Sequence, residues 1–158
     1  MTYSLGQRSL AELVGVHPDL VRAIKRAITI TEQDFMVVQG TRTKEEMWAN
    51  YCKGRTVAQC TAKRLPAKDA KPAENKVTWL NNPLLSNHRI MPDGFGHGVD
   101  LGTFPYGGSI AQYKLIWQAM KKAMAIEGVK LRAGIDWDGD NIPLEAGESD
   151  LGHYELIR

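Results

Sequence analysis

Apolar residues recur at helical intervals through the first thirty positions. Leu20, Ile24, Ala27 and Ile28 stand at i, i+4, i+7 and i+8 behind Pro18-Asp19. That spacing predicts an amphipathic helix with Pro at its first position, where a backbone N–H has no partner to lose. Ser9 is read as the cap of a shorter helix running to Val14. A compact apolar run from Phe35 to Gln39, closed by Gly40, predicts a strand. Thr43-Lys44-Glu45-Glu46 has the spacing of a capping box and opens a helix carrying Met47, Trp48 and Tyr51, stopped by Gly54.

Between residues 55 and 85 the periodicity disappears. Lys, Ala, Pro, Asn and Thr dominate, and Pro66, Pro72 and Pro83 interrupt regular structure, so this stretch is read as an extended insertion with at most one helical turn. Long loops in compact domains often shape a binding site. Order returns with a strand from Val99 to Phe104. A helix capped by Ser109 follows, carrying Tyr113, Ile116, Trp117, Met120 and Met124 as core positions and stopped by Gly128. A strand from Lys130 to Ile135, an acidic loop from Asp136 to Gly152 and a closing strand from His153 to Ile157 complete the chain. The succession predicts an α+β fold: a small antiparallel sheet with packed helices, in a single compact domain over residues 1–158.

Length and composition agree with that reading. A chain of 158 residues suits one domain, and folding at this size buries roughly 70% of the unfolded surface, so no disulfide framework is needed. With 43% hydrophobic and 24% charged residues, wholesale disorder is excluded. Twenty Lys and Arg against eighteen Asp and Glu leave a net charge of +2. The basic residues at Arg22, Lys25 and Arg26 and across Lys53 to Lys76 lack interleaved aromatics, so they are read as solvated surface and nucleic acid is not expected as a partner. The N-terminus has no charged leader followed by an apolar stretch, and no run approaches the ~20 apolar residues that cross a bilayer. The expectation is a protein made in the cytoplasm without a signal peptide or membrane insertion. Cys52 and Cys60, eight residues apart, match neither a C-x-x-C redox motif nor a zinc knuckle. They are read as two thiols, with a single bridge as the oxidised alternative.

Candidate chemistry gathers around three of the four histidines. His17 directly precedes a helix start, a water-facing position with no motif around it. The stretch from Ser86 through His88, Gly96, His97 and Gly98 to Asp100 joins two imidazoles to a carboxylate through tight turns. Asp150-Leu151-Gly152-His153 sets a second carboxylate three residues before a histidine entering a strand. Two imidazoles and one carboxylate are a common catalytic zinc set, with a fourth position left for a water that the metal makes acidic near neutral pH. By spacing alone, hydrogen-bonded caps compete with ligands as the reading. Asp136, Asp138 and Asp140 alternate as oxygen ligands do in calcium loops. Asn141 stands where such a loop needs Gly, and Gly147 where it needs Glu, so a solvated acidic turn is preferred and calcium is the alternative. Trp137 is read as core or cleft wall. Strand alternation puts Glu155 on the face of His153, either orienting a ligand or meeting Arg158.

These residues carry a resemblance. Ser86-x-His88…Gly96-x-Gly98-x-Asp100 resembles the S-x-H-x-x-G-x-A-x-D motif of the D-alanyl-D-alanine carboxypeptidase and L-alanyl-D-glutamate peptidase zinc family. Asp150-x-x-His153 resembles its (D/E)-x-x-H motif, and Val38-Gln39-Gly40-Thr41-Arg42-Thr43 its strand-end Q-G-x-R-T. The three motifs reach from residue 38 to 156, and the short chain without a leader looks most like phage endolysins. The resemblance implies a fold like that of the hedgehog domain and one catalytic zinc on His88, Asp100 and His153. It implies Asp150 as the base that passes a proton to the leaving amine, and Arg42 as the partner of the scissile carbonyl or of a substrate carboxylate. Ser86 would support the site through hydrogen bonds.

The chain departs from the motif in two places. His88 and Asp100 are twelve positions apart where the family has seven, and Gly98 replaces Ala. Pro92-Asp93-Gly94 suits an outward turn that absorbs the extra length. His97 becomes a rival ligand, although the Ser-x-His context favours His88; otherwise His97 packs beside the site or hydrogen-bonds substrate. The function implied is a monomeric zinc endopeptidase cutting the peptidoglycan stem peptide at the L-alanyl-D-glutamate bond. It would reach the cell wall after a separate membrane-permeabilising protein releases it. The alternatives are a D-Ala-D-Ala carboxypeptidase or dipeptidase, and a non-catalytic zinc module, against which Asp150 and Arg42 argue.

Overall fold

A computed structural model describes residues 2–157. Its elements follow the order α1 (Gln7–Glu12), α2 (Pro18–Ile30), β1 (Phe35–Gln39), α3 (Lys44–Cys52), α4 (Val57–Ala62), β2 (Gly98–Thr103), α5 (Ile110–Glu127), β3 (Leu131–Ala133) and β4 (His153–Leu156). The four strands form one antiparallel sheet in the order β1-β2-β4-β3, which makes the architecture α+β with a small antiparallel sheet. Contacts separate two compact units: one formed by the chain up to Thr41 and from Ile90 onward, the other by Arg42–Arg89. No helix among the described residues is long and apolar enough to cross a membrane.

The larger unit is organised by alternation in β2 and β4. Val99, Leu101 and Tyr154 turn to one face of the sheet and join Leu20, Ile24 and Ala27 of α2 and Ile116, Met120 and Ala123 of α5 in a single buried core. Each large aliphatic side chain buried there contributes about 1.5–3 kcal/mol. The opposite face of the same strands carries Asp100, His153 and Glu155. In the register of β2 and β4, Asp100 lies directly across from His153. One strand pairing thus builds the core and sets a carboxylate beside an imidazole.

Helix ends follow local chemistry. Ser109 and Gln112 form a reciprocal capping box at the start of α5, and Gly128 closes it in the left-handed conformation, φ 66°. The Thr43 hydroxyl accepts the Glu46 N–H at the start of α3. Ser9 is a correction: α1 begins before it, and its buried hydroxyl accepts the Val37 N–H of β1 at 3.0 Å. It anchors a strand instead of capping a helix.

The 42–89 unit is more ordered than its composition suggests. Thr56 and Gln59 form a capping box that opens α4, and a 3-10 turn follows at Ala67–Asp69. Cys52 and Cys60 are joined as a disulfide with their Cα atoms 5.8 Å apart, which corrects the expectation of two thiols. They are buried with Tyr51 and Leu65 in a small second core. The Arg55 guanidinium is buried too, donating to the carbonyls of Tyr51 and Thr78. A bridge and a buried cation let a proline-rich segment hold its form without long periodic elements.

Candidate metal and hydrolytic site

The larger unit supplies an imidazole held between two carboxylates. His153 is buried at the start of β4, with Nδ1 3.0 Å from Asp100 Oδ1 and Nε2 2.9 Å from Glu155 Oε2. Glu155 is itself buried, and its other oxygen lies 3.7 Å from an Arg132 guanidinium nitrogen. Arg158, the alternative partner considered for Glu155, lies outside the described residues. Burial pulls the His153 pKa down, but hydrogen bonds to Asp100 and Glu155, and the charges of Asp100 and Asp150, outweigh it and raise the pKa to about 9. Without a metal, a proton therefore sits where Nδ1 meets Asp100. A carboxylate behind the other ring nitrogen fixes the tautomer of a metal-binding histidine.

Asp150 is placed by a turn with no room for a side chain at Gly152. The His153 N–H donates to the Asp150 carbonyl at 3.2 Å, and the Gly152 carbonyl accepts the Leu101 N–H of β2 at 2.7 Å. A Cβ at Gly152 would stand 2.0 Å from the Leu101 carbonyl oxygen, and one at Gly134 2.2 Å from that of Asp150. Glycine at both positions lets the 149–152 turn lie against the sheet. Asp100 and Asp150 then share the wall of a cavity of about 330 Å3 with Tyr106, Tyr113, Ser149 and Gly152. Tyr113, expected in the core, is only partly buried and lines this cavity, where burial and the neighbouring Tyr106 raise its pKa. Trp137 is 42% exposed, with its ring 6.1 Å from that of His153 and the Arg132 guanidinium 5.0 Å above it. It is exposed and does not belong to the core.

Within the 42–89 unit, Arg42, Ser86 and His88 are joined. The Arg42 N–H donates to the His88 carbonyl at 2.8 Å, and an Arg42 guanidinium nitrogen lies 3.4 Å from Ser86 Oγ. The same Ser86 oxygen accepts the His88 N–H at 3.2 Å. His88 is buried. The serine of the Ser-x-His pattern thus braces both the arginine and the histidine segment.

Three further groups of donor side chains occur in the larger unit among the described residues. His97 Nε2 lies 2.6 Å from Asp93 Oδ2, and His17 Nε2 lies 3.9 Å from the same oxygen. In the acidic loop, Asp136, Asp138 and Glu148 lie close enough to share a cation, as do Asp138, Asp140 and Glu145. Asp136 is buried, and its Oδ1 has no hydrogen-bond partner among the described residues. Burial first, and the charges of Glu148, Asp140 and Asp138 after it, raise its pKa despite a hydrogen bond from the Asn141 backbone. Glu148 is buried and accepts the N–H groups of Trp137 at 2.7 Å and Glu145 at 3.0 Å. Sequence reasoning missed it because it stands one place beyond the position a standard calcium loop reserves for Glu. The Pro92-Asp93-Gly94 turn signal accounts for Asp93 in the sequence, and its i, i+4 spacing to His97 is the signal that points to their contact.

Comparison with known proteins covers the whole chain. Residues 1–157 match the family described as phage L-alanyl-D-glutamate peptidase. The chain is 26% identical to the L-alanyl-D-glutamate peptidase of Escherichia phage T5, over 99% of its own length and 100% of that protein. It is similar in structure to the L-Ala D-Glu endopeptidase ChiX of Serratia marcescens. The TM-score there is 0.58 at 25% sequence identity, covering 98% of this chain and 90% of that one.

Proposed function

Because this chain belongs to the phage L-alanyl-D-glutamate peptidase family, we propose that it hydrolyses the bond between L-Ala and D-Glu in the peptidoglycan stem peptide, using one zinc ion. The observation that carries the reading is the Asp100–His153 pair, backed by Glu155, with Asp100 sharing a cavity with Asp150. The family motifs assign the metal to His88, Asp100 and His153, two imidazoles and one carboxylate, the donor chemistry that suits zinc. His153 Nδ1 and Asp100 Oδ1, 3.0 Å apart, are the atoms of this unit that would hold such a cation. The chemistry such a zinc would supply is Lewis acidity toward the scissile carbonyl and a water acidic near neutral pH.

The remaining work falls to the chain. Asp150, held against the sheet by Gly134 and Gly152, takes the proton of the attacking water and delivers it to the departing amine of D-Glu. Arg42, braced by Ser86, is assigned to negative charge on the substrate, at the carbonyl oxygen as it becomes tetrahedral or at a carboxylate of the stem peptide. Tyr106, Tyr113 and Trp137 offer aromatic walls for the peptide. The acidic loop is read as a calcium site built by Asp136, Asp138 and Glu148, because a buried carboxylate oxygen without a donor is costly unless a cation meets it.

The test is to strip the protein with a chelator and follow clearing of outer-membrane-permeabilised cells. Lysis that stops, returns with zinc and stays absent in Asp150→Asn supports the reading. Undiminished lysis by metal-stripped protein contradicts it. A D-Ala-D-Ala carboxypeptidase in its place would release free D-Ala without clearing the cells.

A further inference from the structure

From the group formed by His17, Asp93 and His97 we infer a second metal site, separate from the hydrolytic one, that takes a zinc-class divalent cation through three side chains and leaves one position to water. The three residues offer one ligand atom each, all within 4.8 Å of one another. Two imidazoles and a carboxylate select borderline cations such as zinc or cobalt(II) over calcium or magnesium.

The backbone around the group is well determined. The His17 N–H donates to the Gly96 carbonyl at 2.9 Å, and the Gly96 N–H donates to the Gly15 carbonyl at 2.8 Å. These bonds tie the junction of α1 and α2 to the segment entering β2. The Met91–Phe95 turn closes on itself, with the Met91 N–H on the Phe95 carbonyl and the Gly94 N–H on the Met91 carbonyl, both at 2.8 Å. Asp93 is fixed in that turn, because its Oδ1 accepts the Phe95 N–H at 3.0 Å, and its Oδ2 is left facing both imidazoles. The His17 and His97 rings meet edge to face with centroids 5.3 Å apart. This turn belongs to the extra length between His88 and Asp100, so the residues that depart from the family spacing are the ones that bring in Asp93.

Both imidazoles turn Nε2 toward the same Asp93 oxygen, at 2.6 Å for His97 and 3.9 Å for His17, which leaves the two Nδ1 atoms on the far sides of the rings. His97 Nδ1 is buried with no hydrogen-bond partner among the described residues, and the His97 side chain is only 12% exposed. His17 Nδ1 accepts the Asp19 N–H at 3.1 Å and lies 4.0 Å from Asp19 Oδ2. When His17 Nε2 binds the cation, the ring proton moves to Nδ1, which gives up the bond from the Asp19 N–H and takes the Asp19 carboxylate as its acceptor. At His97 the cation takes the place of the proton between Nε2 and Asp93, and the ring carries its remaining proton on Nδ1. The bound cation ties the 91–97 turn to the start of α2, three residues ahead of Asp100. Nothing in this inference depends on the hydrolytic reading.

The experiment is equilibrium dialysis of tag-free protein against zinc in excess calcium, with metal counted per chain. Wild type is expected to hold one zinc more than Asp93→Asn and than His97→Gln, while His153→Ala loses a different one. Equal zinc in wild type and both variants overturns the inference and leaves the hydrolytic site untouched; a loss confined to Asp93→Asn and His97→Gln upholds it even where His153→Ala loses nothing. Ring 15N spectra of wild type avoid any folding defect in the variants. Zinc must shift the His17 and His97 ring nitrogens and exchange the His17 tautomer, and unmoved His17 and His97 signals at saturating zinc overturn the site.

Discussion

Zinc uptake at the proposed hydrolytic site must release a proton from His153, which gives a steep and measurable pH dependence. In the metal-free protein this imidazole has a pKa of about 9, because two carboxylates flank it. At pH 7 only about one molecule in a hundred has the ring neutral, against most molecules for an ordinary histidine near 6.5. Displacing that proton therefore costs the metal about 3 kcal/mol at pH 7. Apparent zinc affinity should rise about tenfold from pH 7 to pH 8 through this group alone and level off above pH 9. Titration calorimetry in buffers of different ionisation enthalpy should count about one proton released per zinc at pH 7 from His153. Glu155→Gln removes one flanking charge, so the variant should release fewer protons and its affinity should level off at lower pH. Proton release near zero in wild type, with affinity flat from pH 7 to 8, would refute the assignment of His153 as a ligand.

Other outcomes follow from the same geometry. Asp150→Asn should keep its zinc, measured by metal analysis, while kcat/KM on peptidoglycan falls by about 10²–10⁴, the usual worth of a general base; His153→Ala should lose metal and activity together. Gly152→Ala puts a Cβ 2.0 Å from the Leu101 carbonyl oxygen and should destabilise the fold by about 1–3 kcal/mol in urea titration, with activity falling alongside. In chelator, the raised pKa of His153 gives a stabilisation that is full below about pH 6.5 and lost as pH rises through about 9. Urea midpoints of metal-free wild type should therefore fall across that window more than those of His153→Gln.

Local signals in the sequence reached the structure where local physics decides. The stripe of Leu20, Ile24, Ala27 and Ile28 became the buried face of α2, and Ser109 and Gly128 bound α5 where their chemistry places them. Thr56-x-x-Gln59 was an equally good capping box, but the prolines after it hid α4. The Asp150-x-x-His153 spacing was legible because a turn and a strand start are short-range objects. What gives that histidine its carboxylate partner is not short-range: the antiparallel register sets Asp100 across from it, and only a folded sheet fixes a register. The meeting of His17 with Asp93 has the same cause. A bridge between Val16 and Gly96 closes a separation of eighty residues that no periodicity encodes. Tyr113 shows the reverse error, since helical spacing assigns a side chain to a face but not the depth at which the neighbouring loop leaves it.

Mass spectrometry of fragments released from purified peptidoglycan by zinc-loaded protein tests the central claim most directly. The account predicts stem peptides with new N-termini at D-Glu and glycan strands still carrying L-Ala, with neither product formed by metal-stripped protein. Release of terminal D-Ala with the L-Ala–D-Glu bond intact, or the same fragments from metal-free protein, would contradict it.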